Sequence, residues 1–116
     1  MGIIFWELLF WLVVGHALCD YTFQTDAMAE GKNRHNKMGP IGGQKYIPCW
    51  PYWLSAHALI HAGAVALITG SVIIGVIEFV VHWITDFLKC DRYFNVHKDQ
   101  FIHIACKVAY VIYLTN

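Results

Sequence analysis

The sequence predicts an all-α protein: an up-down transmembrane bundle of four short helices, forming a single membrane domain over residues 1–116. Three observations predict it. Hydrophobic residues make up 58% of the chain and charged residues only 14%, against about 25% charged in a soluble domain. Mean hydropathy is +0.47. The apolar runs are separated by segments rich in glycine, proline or charge, and they carry their few ionisable residues at helical spacing.

The first helix is expected over 3–28. Its apolar run is Ile3 to Cys19, and Asp20, Gln24 and Asp26 continue the helical phase. Glu7 is the only charge before His16, and no small-x-small cleavage site follows. The run therefore reads as a retained helix rather than a signal peptide. A loop is expected over 30–52, where Gly31, Gly39, Pro40, Gly42 and Gly43 interrupt any helix. Within it, Ile47-Pro48-Cys49-Trp50-Pro51-Tyr52-Trp53 reads as an interfacial belt at the entry of the second helix.

The second helix is expected over 53–69. Gly70 and Ser71 separate it from a third, over 72–89. One continuous helix from Trp53 to Leu88 would instead pull its polar residues apart across the bilayer. The polar patch Lys89 to Asn95 makes the next turn, and a fourth helix is expected over 98–114. These apolar runs are shorter than the roughly 20 residues of a full span. Ionisable residues complete them. Trp6, Trp11, Trp50, Trp53, Trp83, Tyr110 and Tyr113 read as belt or core packing.

Composition excludes some functions. Net charge is zero, so no bulk basic surface points to nucleic acid, and no phosphate-cradling GxxxxGK[ST] motif occurs. Cys19, Cys49, Cys90 and Cys106 form no CxxC and read as free thiols.

The informative signal is a set of four pairs at i, i+4: His16 and Asp20, His57 and His61, His82 and Asp86, and Asp99 and His103. This spacing puts both side chains on one helix face, about one turn apart. Two ligands so placed can hold one metal ion, as in HExxH zinc sites. A lone histidine on an apolar helix is more often a hydrogen-bonded structural residue. Here, however, there is one pair per expected helix, in a chain poor in charge. Ionisable residues inside spans normally face a bundle interior. His35 and His97 fall outside the pairs, in expected loops.

In an up-down bundle the first and third pairs lie late in their helices, and the second and fourth lie early. All four therefore reach one depth on one side. That side also carries Lys32, Arg34, Lys37, Lys45, Lys89, Arg92 and Lys98, which places it at the cytoplasmic face and both termini outside. Glu78, four residues before His82, can act as a general base or support a ligand. Lys107, four after His103, can hold an anionic group. An internal Glu78–Lys107 ion pair is the plainer alternative. Gln24 extends the first stripe.

The stretch His16-Ala-Leu-Cys-Asp20-Tyr-Thr-Phe-Gln24-Thr-Asp-Ala-Met28-Ala-Glu30-Gly-Lys32 resembles the opening signature of the domain of unknown function 3307 family. The later segments His57 to His61, His82 to Lys89 and Asp99 to His103 match it too. The resemblance covers most of the chain and is weakest in the Gly/Pro loop. It implies a small multi-pass protein of the bacterial inner membrane, of phage or bacterial origin, with no settled activity. More distantly, the architecture is similar to membrane-bound metal-dependent hydrolases.

The expected function is a membrane-embedded metal-dependent hydrolase. His16, Asp20, His57, His61, His82, Asp86, Asp99 and His103 are the candidate ligands, and Glu78, Asp86 and Lys107 the candidate catalytic residues. Histidine and carboxylate ligands suit one or two divalent ions, zinc ahead of manganese or iron. A site just below the interface suits a lipid-linked phosphate or ester, with Lys107 or Arg34 as phosphate contacts. The lipid bilayer is the expected partner. The alternatives are a metal-ion binding or transport protein, a non-catalytic phage membrane protein locked by a polar network, and a diiron oxidase.

Overall fold

The first apolar run winds as α1 (Ile3–Ala17) and then widens into a π-helical segment, Leu18–Thr22. The Phe23 N–H donates to the Leu18 carbonyl at 2.7 Å and closes that segment. The computed structural model describes residues 2–35 and 50–116. The helix expected over 3–28 is thus divided. Thr25 Oγ1 accepts the Met28 N–H at 3.1 Å and starts a separate short helix, α2 (Asp26–Gly31). A hydroxyl that bonds local backbone in this way competes with continuation of the preceding helix. The Gly/Pro part of the expected loop, with Lys37, Lys45 and Cys49, lies outside the described residues.

The second long helix, α3 (Trp50–Thr69), starts three residues before the expected position. Pro51 sits in its first turn, where the missing N–H breaks no helical bond. The separation at Gly70 is real: its φ is +71°, a left-handed conformation that favours glycine. Its N–H donates to the Ala66 carbonyl, and Ser71 Oγ then caps α4 (Val72–Cys90) by accepting the Ile74 N–H. Asn95 Oδ1 caps α5 (Val96–Thr115) by accepting the Lys98 N–H at 2.8 Å. This early start puts His97 in the first turn of α5, exposed, rather than in a loop.

Among the described residues the fold is all-helical, without strands. α1 packs on α3 and α5, and α4 packs on α3 and α5, so the four long helices close a ring; α2 and the π segment lie against α3. α3 and α4 approach closely at Gly75, where a Cβ would stand 2.8 Å from Ala66 Cβ and 3.0 Å from the Ala62 carbonyl oxygen.

The interior divides into two layers. One holds Phe5, Leu12, Val65, Ile74, Tyr110 and Val111. The other is polar: His16, Asp20, His57, His61, His82, Asp86, Asp99 and His103 are all buried, as are Lys32, Glu78, Thr85 and Lys107. Outside, the distribution is reversed, with Ile3, Leu67, Val72, Ile73 and Phe101 among many apolar side chains more than two-thirds exposed. Ile3–Thr22 and Trp50–Thr69 are long and apolar enough to cross a membrane. By the same measure α4 and α5 fall short, because each carries three formal charges.

Gly75→Val tests the α3–α4 contact. Overpacking of this kind costs about 1–3 kcal/mol. The expected result is a lower thermal unfolding midpoint in detergent, with Gly63→Val, where a Cβ meets nothing within 4 Å, much milder.

Candidate metal centre

Each of the four i, i+4 pairs projects from its own helix into the polar layer. His61 stacks on His82 with ring centroids 3.7 Å apart, and His82 stacks on His103 at 4.1 Å. His57 lies 4.8 Å from His61 and 5.0 Å from His82. His16 lies 5.3 Å from both His61 and His103. Five histidines thus form one buried cluster.

Asp20, carried by the π segment, is the hub on the α1 side. π turns are rare and concentrate at functional sites. Asp20 Oδ1 stands 3.2 Å from His61 Nε2 and 3.3 Å from His57 Nε2. Its other oxygen, Oδ2, accepts from Gln100 Nε2 at 2.8 Å. His57 Nε2 also lies 3.1 Å from Asp86 Oδ2, yet its angles make no hydrogen bond to either carboxylate. Both ring nitrogens of His82 likewise lack a hydrogen-bond partner, although the ring is fully buried. Its Nε2 is 3.7 Å from Asp86 Oδ2 and its Nδ1 3.7 Å from Glu78 Oε2.

The ligand atoms of Asp20, His57, His61 and His82 all lie within 4.8 Å of one another. Tetrahedral bonds of about 2.0–2.1 Å put neighbouring ligand atoms roughly 3.4 Å apart. The two short separations around Asp20 Oδ1 are close to that edge. Orphaned nitrogens converging beside a carboxylate are the donor set a divalent transition metal needs. Asp86, Asp99 and His103 form a second, disjoint set, and Glu78, His82 and His103 a third that shares members.

His16, expected as a ligand, stands outside all three sets. Its Nε2 pairs with Gln100 Oε1 at 2.9 Å, so His16 supports Asp20 through Gln100. Gln24 turns back to donate to the Asp20 carbonyl. For Glu78 and Lys107 the structure shows the internal ion pair that was the plainer of the two expectations. Lys107 is fully buried and paired with Glu78, so it is not free to grip a substrate anion. Glu78 faces the far nitrogen of His82, the position of a carboxylate that orients a ligand histidine. Asp86 is buried between α3 and the lysines, with Oδ2 3.1 Å from His57 Nε2 and 2.8 Å from Lys32 Nζ.

Three further residues emerge only from the structure. Lys32, read as a surface charge, is 3% exposed and donates to Asp86 Oδ2 at 2.8 Å. Lys89 Nζ reaches Asp86 Oδ1 at 3.2 Å and Asp99 Oδ2 at 3.5 Å. Gln100 joins His16 to Asp20. The signal for all three was their position, in or next to the quoted segments, but a side chain beside a motif gives no direction. Cys19 pairs with the Ile60 carbonyl and is not in a ligand set. Cys19, Cys90 and Cys106 are free thiols.

At the rim, Arg34 donates to both oxygens of Asp91, at 2.9 and 2.5 Å, and His35 lies 3.0 Å from the same carboxylate. Arg34 also stacks over Phe87, 5.0 Å from the ring centre. It is therefore tied up as a latch between the α2 exit and the end of α4, and is not an open phosphate contact.

The family model described as protein of unknown function (DUF3307) matches residues 8–116. The chain belongs to this family. All four pairs of this DUF3307 protein, with Lys32, Lys89 and Gln100, fall inside the matched region. No curated protein and no solved structure matches the chain.

Two predictions test this geometry. The Arg34 hydrogen bonds, with the charges of Arg34 and His35, hold the Asp91 carboxyl below its ordinary value. A lowered folded value means stabilisation that is present above the unfolded carboxylate range, near pH 4, and lost as pH falls through the folded value. Arg34→Gln should shift the onset of acid unfolding, followed by circular dichroism, to higher pH. Separately, Glu78→Gln strands a buried Lys107 charge and should destabilise by about 3–5 kcal/mol. Adding Lys107→Met should recover most of that loss in detergent unfolding. Simple additivity of the two changes would show that the pair is not coupled.

Proposed function

We propose that this protein is an intramembrane metal-dependent hydrolase of the bacterial inner membrane, acting on the phosphate or ester of a lipid-linked substrate. The observation that carries this reading is the buried set Asp20, His57, His61 and His82, where the Nε2 atoms of His57 and His82 have no hydrogen-bond partner. A divalent ion bound there supplies Lewis acidity toward a phosphoryl or carbonyl oxygen, zinc being favoured by the ligand types. Asp20 is held by Gln100 and His82 faces Glu78, so the ligands are oriented from behind.

The membrane part of the reading rests on an apolar exterior around a polar interior. Lipid is the solvent that suits such a surface. α1, α3, α4 and α5 would span the bilayer, with the charges of α4 and α5 turned inward. Exposed Arg92 and Lys98 flank the site end, which supports a cytoplasmic site and periplasmic termini. Lys32 and Lys89 do not count toward that signal, because they face the site.

A cation carrier fits less well. Lys107 pairs with Glu78 next to the ligand cluster, and its ammonium opposes passage of a metal ion toward the far face. A purely structural polar lock also fits less well, since such a lock would satisfy its own buried nitrogens.

Elemental analysis of the purified protein tests the reading. The expected result is stoichiometric zinc, manganese or iron, lost in His82→Ala while helicity is retained. A folded wild-type chain that binds no divalent ion from solution would overturn it.

A further inference from the structure

The two disjoint ligand sets differ in the groups that face their carboxylates: the described residues place histidines within 4 Å of Asp20, and lysines within 4 Å of Asp86 and Asp99. In the first, the Nε2 atoms of His57 and His82 are unpartnered. In the second, His103 Nδ1 and Asp86 Oδ1 also lack a hydrogen bond, but both carboxylates face lysine ammonium groups. Asp86 Oδ2 accepts from Lys32 and Asp86 Oδ1 faces Lys89. Asp99 Oδ2 faces Lys89, while Asp99 Oδ1 pairs with His103 Nε2 at 3.1 Å.

From this we infer that Lys32 and Lys89 occupy the place of a second metal ion, so that the centre holds one divalent cation, in the Asp20–His57–His61–His82 set. This rests on the metal reading above and sharpens it.

Charge supports the assignment. The polar layer contains four carboxylates, on Asp20, Glu78, Asp86 and Asp99, and three ammonium groups, on Lys32, Lys89 and Lys107. Ligand histidines are neutral. The protein charge in the layer is therefore a single negative. One divalent ion makes it a single positive, which one bound anion neutralises. Two divalent ions would leave three positive charges in a medium of low dielectric, where uncompensated charge is strongly unfavourable. The lysine-capped centre thus suits a substrate with one anionic oxygen at the reacting group, such as a phosphodiester.

Lys32 is not a flexible side chain that happens to fall inward. Its N–H donates to the Met28 carbonyl at 3.0 Å. The preceding Gly31 lies so close to Trp53 that a Cβ would stand 2.5 Å from the indole. Two residues on, Arg34 is fastened to Asp91. Helix α2 therefore acts as a strap that delivers one ammonium group to Asp86, while Lys89 comes from the last turn of α4. Lys32 and Lys89 are positioning residues for the carboxylates and set the number of ions.

The test counts metal in the full chain in detergent, stripped with a chelator, reloaded with Zn2+ and desalted. The expected result is one Zn2+ per chain for the wild type and two for the folded double variant Lys32→Met, Lys89→Met. Two ions in the wild type, or one in the folded variant, overturns the inference and leaves the metal reading standing. No ion in either chain removes the metal reading itself and this inference with it. If the double variant does not fold, Co2+-loaded wild type decides by paramagnetic resonance. An isolated high-spin ion supports the inference, and a spin-coupled pair overturns it.

Discussion

Ionisable side chains buried inside a bundle with an apolar exterior impose the constraint on which the other features depend. A carboxylate or ammonium group without a partner in such an interior costs several kcal/mol, so each must meet another across a helix boundary. Glu78 on α4 meets Lys107 on α5. Asp86 on α4 meets Lys32 beyond α2. Asp20 on the π segment meets His61 on α3 and Gln100 on α5. The helices cannot slide or rotate independently without breaking several of these contacts at once. The network leaves some buried ring nitrogens unpaired, on His16, His57, His82 and His103, and those of His57 and His82 belong to the ligand set that contains Asp20.

The two interior layers have different tasks. The apolar layer around Leu12, Val65, Ile74 and Val111 supplies ordinary packing. Close approach of α3 and α4 at Gly75 sets the register between them. That register brings His82, seven residues from Gly75, against His61, five residues from Ala66. Outside the ring, the π segment and α2 carry the chain back over the site end, and the Arg34–Asp91 latch holds that return path in place. The helix break between Thr22 and Asp26 therefore has a structural consequence: an unbroken helix would carry Lys32 away from Asp86.

Much of this was legible in the residues. The all-α class, the break at Gly70, and the convergence of the four pairs at one level follow from hydrophobic runs and i, i+4 spacing. The roles within the cluster were less legible. His16 shares a helix face with Asp20 but is turned to Gln100. Lys32 reads as a loop charge and is buried. In each case the deciding partner lies on another helix, at a sequence distance that no local pattern reports.

The sequence by itself determined that the four i, i+4 pairs share inward helix faces at one depth, because an α-helix fixes the direction of a side chain relative to its neighbours three and four residues away. Only the tertiary structure decided which inward-facing groups oppose one another. Rotation and register between helices are set by packing, and a shift of one turn would exchange ligand for supporting residue throughout the cluster. The same holds for Lys32 and Lys89. Their charge is written in the sequence, while their place beside Asp86 and Asp99 depends on how α2 folds back against α3.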